Sequence, residues 1–368
     1  MAKELRTAAD STRVQQGWRG WSKAFALAAL TLTALLFGFI ATLDPYGARV
    51  QAGQPARPLM DLNQRFMYPQ IVRSGAFDSA VFGTSTLRLL DPALLSTGLS
   101  ARFANLGMNA ATPWEQTQIA GLFARQVAKP KFVIWGIDQN WCEADAASEA
   151  RRLTPRPFPP WLYDDSAWND WPKQLNFTTL EIALRLAAHR LGLQPARLRG
   201  DGYEVFTPPE GTYDLARARF HLYRGYGGHA PDLTPQSPPV VVAAAERARW
   251  QFPALAWLEQ RLAAFPTTTR RLIVLPPVHA GALPREGSAA WQRFEACKAE
   301  IAAIAARQQA VMADYGHPSV LTREDANYWD PAHYRLPIAR RIEADLIALG
   351  RGESAPVDPA LTVLGAFR

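Results

Sequence analysis

Ser85 is the residue whose type and position first suggest chemistry. It follows a short apolar run, residues 80–82, and is separated from that run by Gly83 and Thr84. The run predicts a buried strand, and glycine directly after it permits a sharp turn. Such a turn presents the next side chains at the carboxyl edge of a sheet, where ligands and chemistry collect in open α/β sheets. Ser85 is therefore the candidate nucleophile.

Asp330 and His333 are the residues that could activate such a serine. A spacing of three lets a carboxylate and an imidazole meet within one turn, and Pro331 suits the first position of a helix. A carboxylate fixes the tautomer of the imidazole, which can then take the proton of a serine hydroxyl. The alternative for Asp330 is a helix N-cap without chemistry.

The elements that must position these residues alternate along the chain. Short apolar runs, typical of buried strands, are separated by stretches whose apolar residues recur every three or four positions. This alternation predicts an α/β protein with about five parallel strands and helices on both faces of the sheet. The predicted strands are residues 80–82, 101–106, 132–135, 272–275 and, more weakly, 319–321, and the predicted helices include residues 114–127, 291–304 and 338–346.

A long insertion, residues 142–269, separates the third and fourth predicted strands. It is too long for a simple crossover connection and would rise from the edge that carries Ser85, so it can cover the candidate site. Its aromatic residues could stack on sugar rings or form a small core of their own. Helices are predicted at residues 178–191 and 243–265, with a kink at Pro253 in the second.

Residues 24–43 form an uncharged apolar run long enough to cross a bilayer as a helix. Basic residues are concentrated before this run, which predicts a cytoplasmic N-terminus and an outward-facing remainder. A cleaved signal peptide is the alternative. The predicted organisation is a tail (1–23), an anchor (24–43), a linker (44–75), a main domain (76–350) and a C-terminal tail (351–368).

Composition excludes several classes of function. The formal net charge of +7 is spread along the chain without a block of lysine and arginine, so we expect no nucleic-acid partner. No histidine has metal-ligand spacing, and no glycine-rich phosphate loop or dinucleotide fingerprint occurs, so we expect neither metal nor cofactor. Cys142 and Cys297 follow the predicted anchor, in an oxidising space, where a disulfide and two buried thiols are both open.

Gly83-Thr84-Ser85 and Asp330-Pro331-Ala332-His333 resemble the first and last blocks of the SGNH (GDSL-like) hydrolases. Residues 105–109 and 135–140 resemble the second and third blocks, although Thr84 stands where an aspartate is usual. The resemblance covers residues 78–349 apart from most of the insertion. It implies a three-layer α/β/α fold and acyl ester chemistry by a triad of Ser85, His333 and Asp330.

The resemblance also implies an oxyanion hole. The amides of Ser85 and Gly107 would donate to the oxyanion, and the asparagine of the family's third block falls on Asp138. An ionised aspartate accepts hydrogen bonds but cannot donate them, so it would oppose a developing oxyanion. Asn140, two residues further on, could substitute as a donor.

Two other residues are candidates for substrate binding. Arg88 could bind a substrate carboxylate or phosphate, or could be paired with a nearby acid. His279 follows the fourth predicted strand and could line the same edge as Ser85, or could be a structural histidine.

One anchor helix, a turn at residues 44–47 and this domain together resemble SGNH-like proteins of bacterial envelopes, related to the alginate O-acetylation proteins and the D-alanine-transfer accessory protein. The resemblance implies a single-pass protein of the bacterial inner membrane with a periplasmic acyltransferase or esterase domain. Its substrate would be a polysaccharide, and a transferase would need a multi-span acyltransferase partner. The alternatives are a non-catalytic envelope component that binds glycan or such a partner, and a soluble cytoplasmic hydrolase, which requires that residues 24–43 are not an anchor.

Overall fold

The computed structural model describes residues 2–50, 52–54, 56–165, 170–353 and 358–365. The chain divides into two compact units. The first comprises Met1–Pro45 and Ala167–Pro195, and the second comprises Tyr46–Ser166 and Ala196–Arg368. Part of the predicted insertion therefore belongs to the same unit as the N-terminal helix, and the candidate site belongs to the other unit.

The first unit is helical and contains α1 (Ala2–Leu43), α5 (Asp170–Lys173) and α6 (Phe177–Arg190). Within α1, Gly17–Leu43 contains an 18-residue stretch with a mean hydropathy of 2.3 and is long and apolar enough for a membrane span or a signal sequence. Helix α6 packs against α1, and the ring of Trp171 lies 5.5 Å from that of Phe37. The helix predicted at residues 178–191 is thus present, and it packs on the N-terminal helix.

The second unit is built on a sheet that has six strands in the described residues. The strand order is β2-β1-β3-β4-β5-β6, with β1 to β5 parallel and β6 antiparallel to β5. The α/β class and the mostly parallel sheet are confirmed. The strands are β1 (Ser79–Phe82), β2 (Phe103–Asn105), β3 (Phe132–Gly136), β4 (Arg270–Leu275), β5 (Ala310–Asp314) and β6 (Thr362–Leu364).

The fifth predicted strand, at residues 319–321, was wrong. Ser319 is the N-cap of a short helix, and its hydroxyl accepts from the amide of Thr322. The real fifth strand is β5, nine residues earlier. Residues beyond 351, predicted as a tail, supply β6, which covers the outer edge of β5. An edge strand left unpaired would expose a row of backbone donors and acceptors.

Side chains on both faces of the sheet are buried. Val81, Ile134 and Leu272 pack into one apolar core with Leu95 of α3 (Pro92–Leu99) and Ile342 of α12 (Leu336–Arg351). On the neighbouring register positions the side chains point the other way, since successive strand residues alternate between faces. The ring of Phe82 lies 5.7 Å from that of Phe123 in α4 (Pro113–Gln126). Helices therefore contact both faces of the sheet.

The helices of the second unit agree with the predicted periodicity, with one exception. The helix predicted at residues 243–265 is two helices, because Pro253 lies in the segment that separates them and has no amide hydrogen to continue a helix. The helices are α2 (Gln64–Arg73), α3 (Pro92–Leu99), α4 (Pro113–Gln126), α7 (Leu215–Tyr223), α8 (Ala244–Arg247), α9 (Leu255–Ala263), α10 (Ala289–Arg307), α11 (Val320–Arg323) and α12 (Leu336–Arg351).

Cys142 and Cys297 form a disulfide, which settles the alternatives left open by the sequence. Cys142 ends a short 3₁₀ turn after β3, and Cys297 lies in α10. The bond therefore ties the loop that carries Asp138 and Asn140 to a helix of the scaffold.

Candidate active site

Ser85, His333 and Asp330 lie together at the carboxyl edge of the sheet. Ser85 Oγ is 2.8 Å from His333 Nε2, and His333 Nδ1 is 2.7 Å from Asp330 Oδ2. All three residues are half-buried, so the hydroxyl can be reached by a substrate. This is the hydrogen-bonded order of nucleophile, base and orienting acid that serine hydrolases use.

The acid and the base are held by a tight loop, and the prediction that Pro331 begins a helix was wrong. Helix α12 begins at Leu336. Asp330 Oδ1 instead accepts from the backbone amides of Ala332 at 2.9 Å and of His333 at 3.0 Å. These hydrogen bonds close the loop around the carboxylate and bring the imidazole of His333 against it.

The charge of Asp330 fixes the tautomer of His333. Burial alone would raise the pKa of Asp330, but the hydrogen bond and charge of His333, with the two backbone amides, hold that pKa below its usual value. An ionised carboxylate only accepts, so His333 Nδ1 carries the hydrogen. In the neutral ring Nε2 then accepts the hydrogen bond donated by the Ser85 hydroxyl, as a general base must.

Two glycines allow the turn that presents Ser85. Gly83 has φ = 149°, a conformation that glycine adopts without strain. A Cβ on Gly136 would lie 2.4 Å from Leu87 Cδ1, so only glycine lets the turn after β1 pack on the end of β3. Ser85–Leu87 then form one 3₁₀ turn, and the hydroxyl of Tyr334 donates to the carbonyl of Thr86.

Of the two backbone amides predicted as oxyanion donors, one already has an acceptor within the protein. The amide of Gly107 already donates to Asn105 Oδ1 at 3.0 Å, in a buried hydrogen bond. The amide of Ser85, by contrast, has no acceptor among the described residues. Asn105 was not singled out from the sequence. Its Nδ2 donates to the carbonyls of Leu87 and Leu90, both at 2.9 Å, and so fixes the segment after Ser85 to the end of β2.

Asp138 follows the end of β3, which is a neighbour of β1 in the sheet, so it lies at the same edge of the sheet as this turn. Burial raises the pKa of Asp138 to about 6, although hydrogen bonds from Thr84 and from the backbone amide and side chain of Asn140 lower it. Asp138 Oδ1 accepts from the Asn140 amide at 3.1 Å. The carboxyl group is therefore neutral, and able to donate, at mildly acidic pH.

Arg88 is buried, and its guanidinium group is engaged by other residues of the protein. Its guanidinium group pairs with Glu204 and donates to Asn109 Oδ1 at 2.6 Å, and the residue is 1% exposed. The alternative of a pairing with a nearby acid is confirmed. Arg88 anchors the insertion, to which Glu204 belongs, beneath the loop after β2.

His279 also has a structural role, which is one of the two alternatives that the sequence left open. Its Nδ1 accepts from the Gly281 amide and its Nε2 donates to Asp325 Oδ1, both at 3.1 Å. Burial lowers the pKa of His279 despite the charge of Asp325, and the ring is neutral. The backbone amide of His279 donates to the carbonyl of Pro331 at 2.9 Å. His279 therefore supports the loop that carries Asp330 and His333.

The insertion does contribute one residue to the candidate site. The ring of Phe206 meets the imidazole of His333 edge to face, with centroids 5.3 Å apart. No spacing or motif marks Phe206 in the sequence, since it lies in a long irregular segment. A Thr-Pro-Pro sequence directly after it is the only local signal, and it indicates a rigid turn.

The described residues contain no group of three or more histidine, cysteine, aspartate or glutamate side chains placed to hold a metal ion. Comparison of the chain with protein-family models, with curated proteins and with solved structures finds no match. Function is therefore inferred from the geometry of the site.

Proposed function

We propose that this protein is a serine-dependent acyltransferase or esterase, with an SGNH-like three-layer α/β/α domain. The observation that carries the proposal is the continuous hydrogen-bonded array of Ser85, His333 and Asp330, at 2.8 and 2.7 Å. Ser85 attacks the acyl carbon while His333 Nε2 takes its proton. The tetrahedral intermediate collapses when His333 returns that proton to the leaving oxygen.

The acyl-enzyme is then resolved by water in an esterase or by a sugar hydroxyl in a transferase, again with His333 as base. The free amide of Ser85 donates to the oxyanion. Asp138 is the second donor when its carboxyl group is neutral, and the Asn140 side chain, which contacts Asp138, is the other group in reach of this turn. Each donor contributes on the order of 100-fold to the rate.

We further propose that the protein is anchored in a bacterial inner membrane by α1 and acts in the periplasm on a polysaccharide, with an acetyl group as the acyl group. The length and hydropathy of Gly17–Leu43 support an anchor. The Cys142–Cys297 disulfide supports an oxidising compartment. A transferase would receive its acyl group through a multi-span membrane acyltransferase.

The test is labelling of the full chain, purified in detergent, with a fluorophosphonate probe that reacts with activated serines. We expect the wild type to be labelled and both Ser85→Ala and His333→Ala to be unlabelled. His229→Ala, which alters an exposed histidine of the insertion, is the matched control and should label like the wild type. A folded wild type that resists the probe would refute the enzymatic proposal.

A non-catalytic envelope component that binds glycan or a membrane partner is the second candidate. The occupied amide of Gly107 favours it, because one expected oxyanion donor already has a buried acceptor. Complementation of a deletion strain separates the two candidates. Ser85→Ala should abolish the biological effect of an enzyme and preserve that of a binding protein.

A further inference from the structure

A cavity of about 260 Å³ lies at the carboxyl edge of the sheet in the second unit. Its walls are the loop after β2, the loop after β3 and the first part of the insertion. In the sheet, β2 and β3 are the two neighbours of β1, whose carboxyl end leads to Ser85. Asn140 lines the cavity, and its backbone amide donates to Asp138 Oδ1 at 3.1 Å. The cavity therefore opens at the same edge of the sheet as Ser85.

Few polar side chains of this cavity are available to hydrogen bond with a ligand. Glu143 is exposed and forms no hydrogen bond or ion pair through its side chain with any described residue. Arg151, the other charged residue of the lining, is already paired with Asp145 at 3.0 Å. The net result is one unpartnered carboxylate together with the exposed side chain of Asn140.

Apolar surface forms the rest of the lining. Ala111, Pro113 and Ala146 are buried at its base, and Leu153 is exposed at its rim. A carboxylate and an amide over such a base suit a sugar ring, whose hydroxyl groups hydrogen bond at the edge while its C–H face packs on apolar side chains. The volume lies just below the range of roughly 300–1,000 Å³ for drug-sized ligands, so it suits a single ring.

The walls of the cavity are rigid before any ligand binds. The Thr112 hydroxyl donates to the carbonyl of Arg152 at 2.6 Å, which joins two opposite walls. Thr154 hydrogen bonds to Glu115, and Glu115 forms a fully buried ion pair with Arg65. A site fixed in this way loses little conformational entropy on binding.

We propose that this cavity, called here the Glu143 subsite, binds one residue of a neutral glycan beside the acyl centre. The unpartnered carboxylate of Glu143 accepts hydrogen bonds from sugar hydroxyls and repels a uronate carboxylate. The substrate is then a neutral polysaccharide, not a polyuronate. The proposal rests on the proposed function, because it assigns the glycan of that same site.

The test is saturation-transfer NMR on the full chain in a detergent without a sugar headgroup. The probes are tetrasaccharides of β-linked glucose, mannose and galactose, beside a galacturonate tetramer of equal length. We expect binding of at least one neutral tetrasaccharide and none of the galacturonate tetramer. Preferential binding of the galacturonate tetramer, or binding of no neutral probe, overturns the proposal.

Matched variants locate the binding. Glu143→Gln should weaken it roughly tenfold or more, because hydrogen bonds to charged groups are the stronger ones. Ala150→Trp, at the exposed rim, should fill the cavity and abolish binding. Glu149→Gln and Glu149→Trp alter the adjacent exposed residue outside the lining and should bind like the wild type. Equal binding by all four variants places the glycan elsewhere and overturns the subsite.

Fluorophosphonate labelling of the same samples keeps the two proposals apart. Glu149→Gln and Glu149→Trp should label as the wild type does, because neither alters the triad or the subsite. Glycan binding by a chain whose Ser85 is not labelled would refute the enzyme while supporting the subsite. Labelling of Ser85 without selective glycan binding would support the enzyme and refute the subsite.

Discussion

In the described residues, two histidine–aspartate pairs lie at the same end of the sheet, and one of them faces a nucleophile. In this candidate catalytic pair, His333 gives Nδ1 to Asp330 and leaves Nε2 to the Ser85 hydroxyl. In the other, His279 donates from Nε2 to Asp325, while its Nδ1 accepts from the Gly281 amide. Both nitrogens of His279 are thus occupied by groups of the fold.

This difference shows that chemistry depends on which groups surround an imidazole, and not on the presence of a neighbouring carboxylate. Asp325 also accepts from Arg219 and Tyr223 of the insertion helix α7, so it joins that helix to the scaffold. Asp330 is stabilised by the backbone of its own loop and remains half-exposed. One pair is a tether between elements, and the other is open to substrate.

Replacement of each aspartate by asparagine should have the largest effect and tests directly whether the two pairs differ in role. Asp330→Asn should lower the rate of hydrolysis of an activated acetyl ester on the order of 10⁴-fold, because the wrong tautomer of His333 is then favoured. Asp325→Asn should lower it by about tenfold or less, because His279 acts only by supporting the loop. Steady-state kinetics of the two variants measure both effects. An equal loss in both would mean that the two pairs are parts of one functional unit.

The carboxyl group of Asp138 gives a second test, because Asp138 follows β3 at the edge of the sheet that carries Ser85. With a pKa of about 6, this group donates below pH 6 and only accepts above it. The ratio of wild-type rate to Asp138→Asn rate should therefore rise as the pH falls from 8 to 5. At pH 8 the variant should be faster by about tenfold or more, since an amide keeps its donor.

The same substitution should change stability with a defined sign. A raised pKa means that ionisation favours the unfolded state, so wild-type stability falls as the pH rises from about 4 to 6. Asp138→Asn should remove this loss and raise the melting temperature at pH 7 but not at pH 3.5. Glu149→Gln is the control for a change at an exposed carboxylate. If the ratio of the wild-type rate to the Asp138→Asn rate did not change with pH, the Asp138 carboxyl group would not be a donor to the oxyanion.

The aromatic contacts of the two histidines give the smallest expected effect. Phe206 meets His333 and Tyr328 meets His279, both edge to face. The Tyr328 hydroxyl is buried without a hydrogen-bond partner among the described residues. Tyr328→Phe should therefore leave the free energy of unfolding within about 1 kcal/mol of the wild type or increase it, as measured by urea denaturation. A loss of several kcal/mol would show that the hydroxyl has a partner.

The sequence predicted the triad residues and four of the five parallel strands because both depend on local signals. Ser85 and Asp330 flank elements whose apolar character is plain, and parallel strands bring their carboxyl ends to one edge. The strand β5 was missed because Ala310–Asp314 continues the apolar pattern of α10 without a clear break. The positive φ of Gln309, which makes that break, is not visible from residue type.

Other features of the site depend on contacts between residues distant in the sequence. The engagement of the Gly107 amide follows from the rotamer of Asn105, and Arg88 is paired only because residue 204 of the insertion returns to it. Neither spacing nor composition encodes such contacts. The helix at residues 178–191 was recognised, but its packing partner α1 lies more than a hundred residues earlier.

The Cys142–Cys297 bond closes a covalent ring that includes the insertion and β4. A protease that cuts one exposed loop within residues 143–296 would produce two segments that stay joined, and the sheet would keep its order around the cut. The chain can therefore carry a long and largely irregular surface segment without losing half of its scaffold at the first scission. Separation of the fragments would require a reductant as well as a protease.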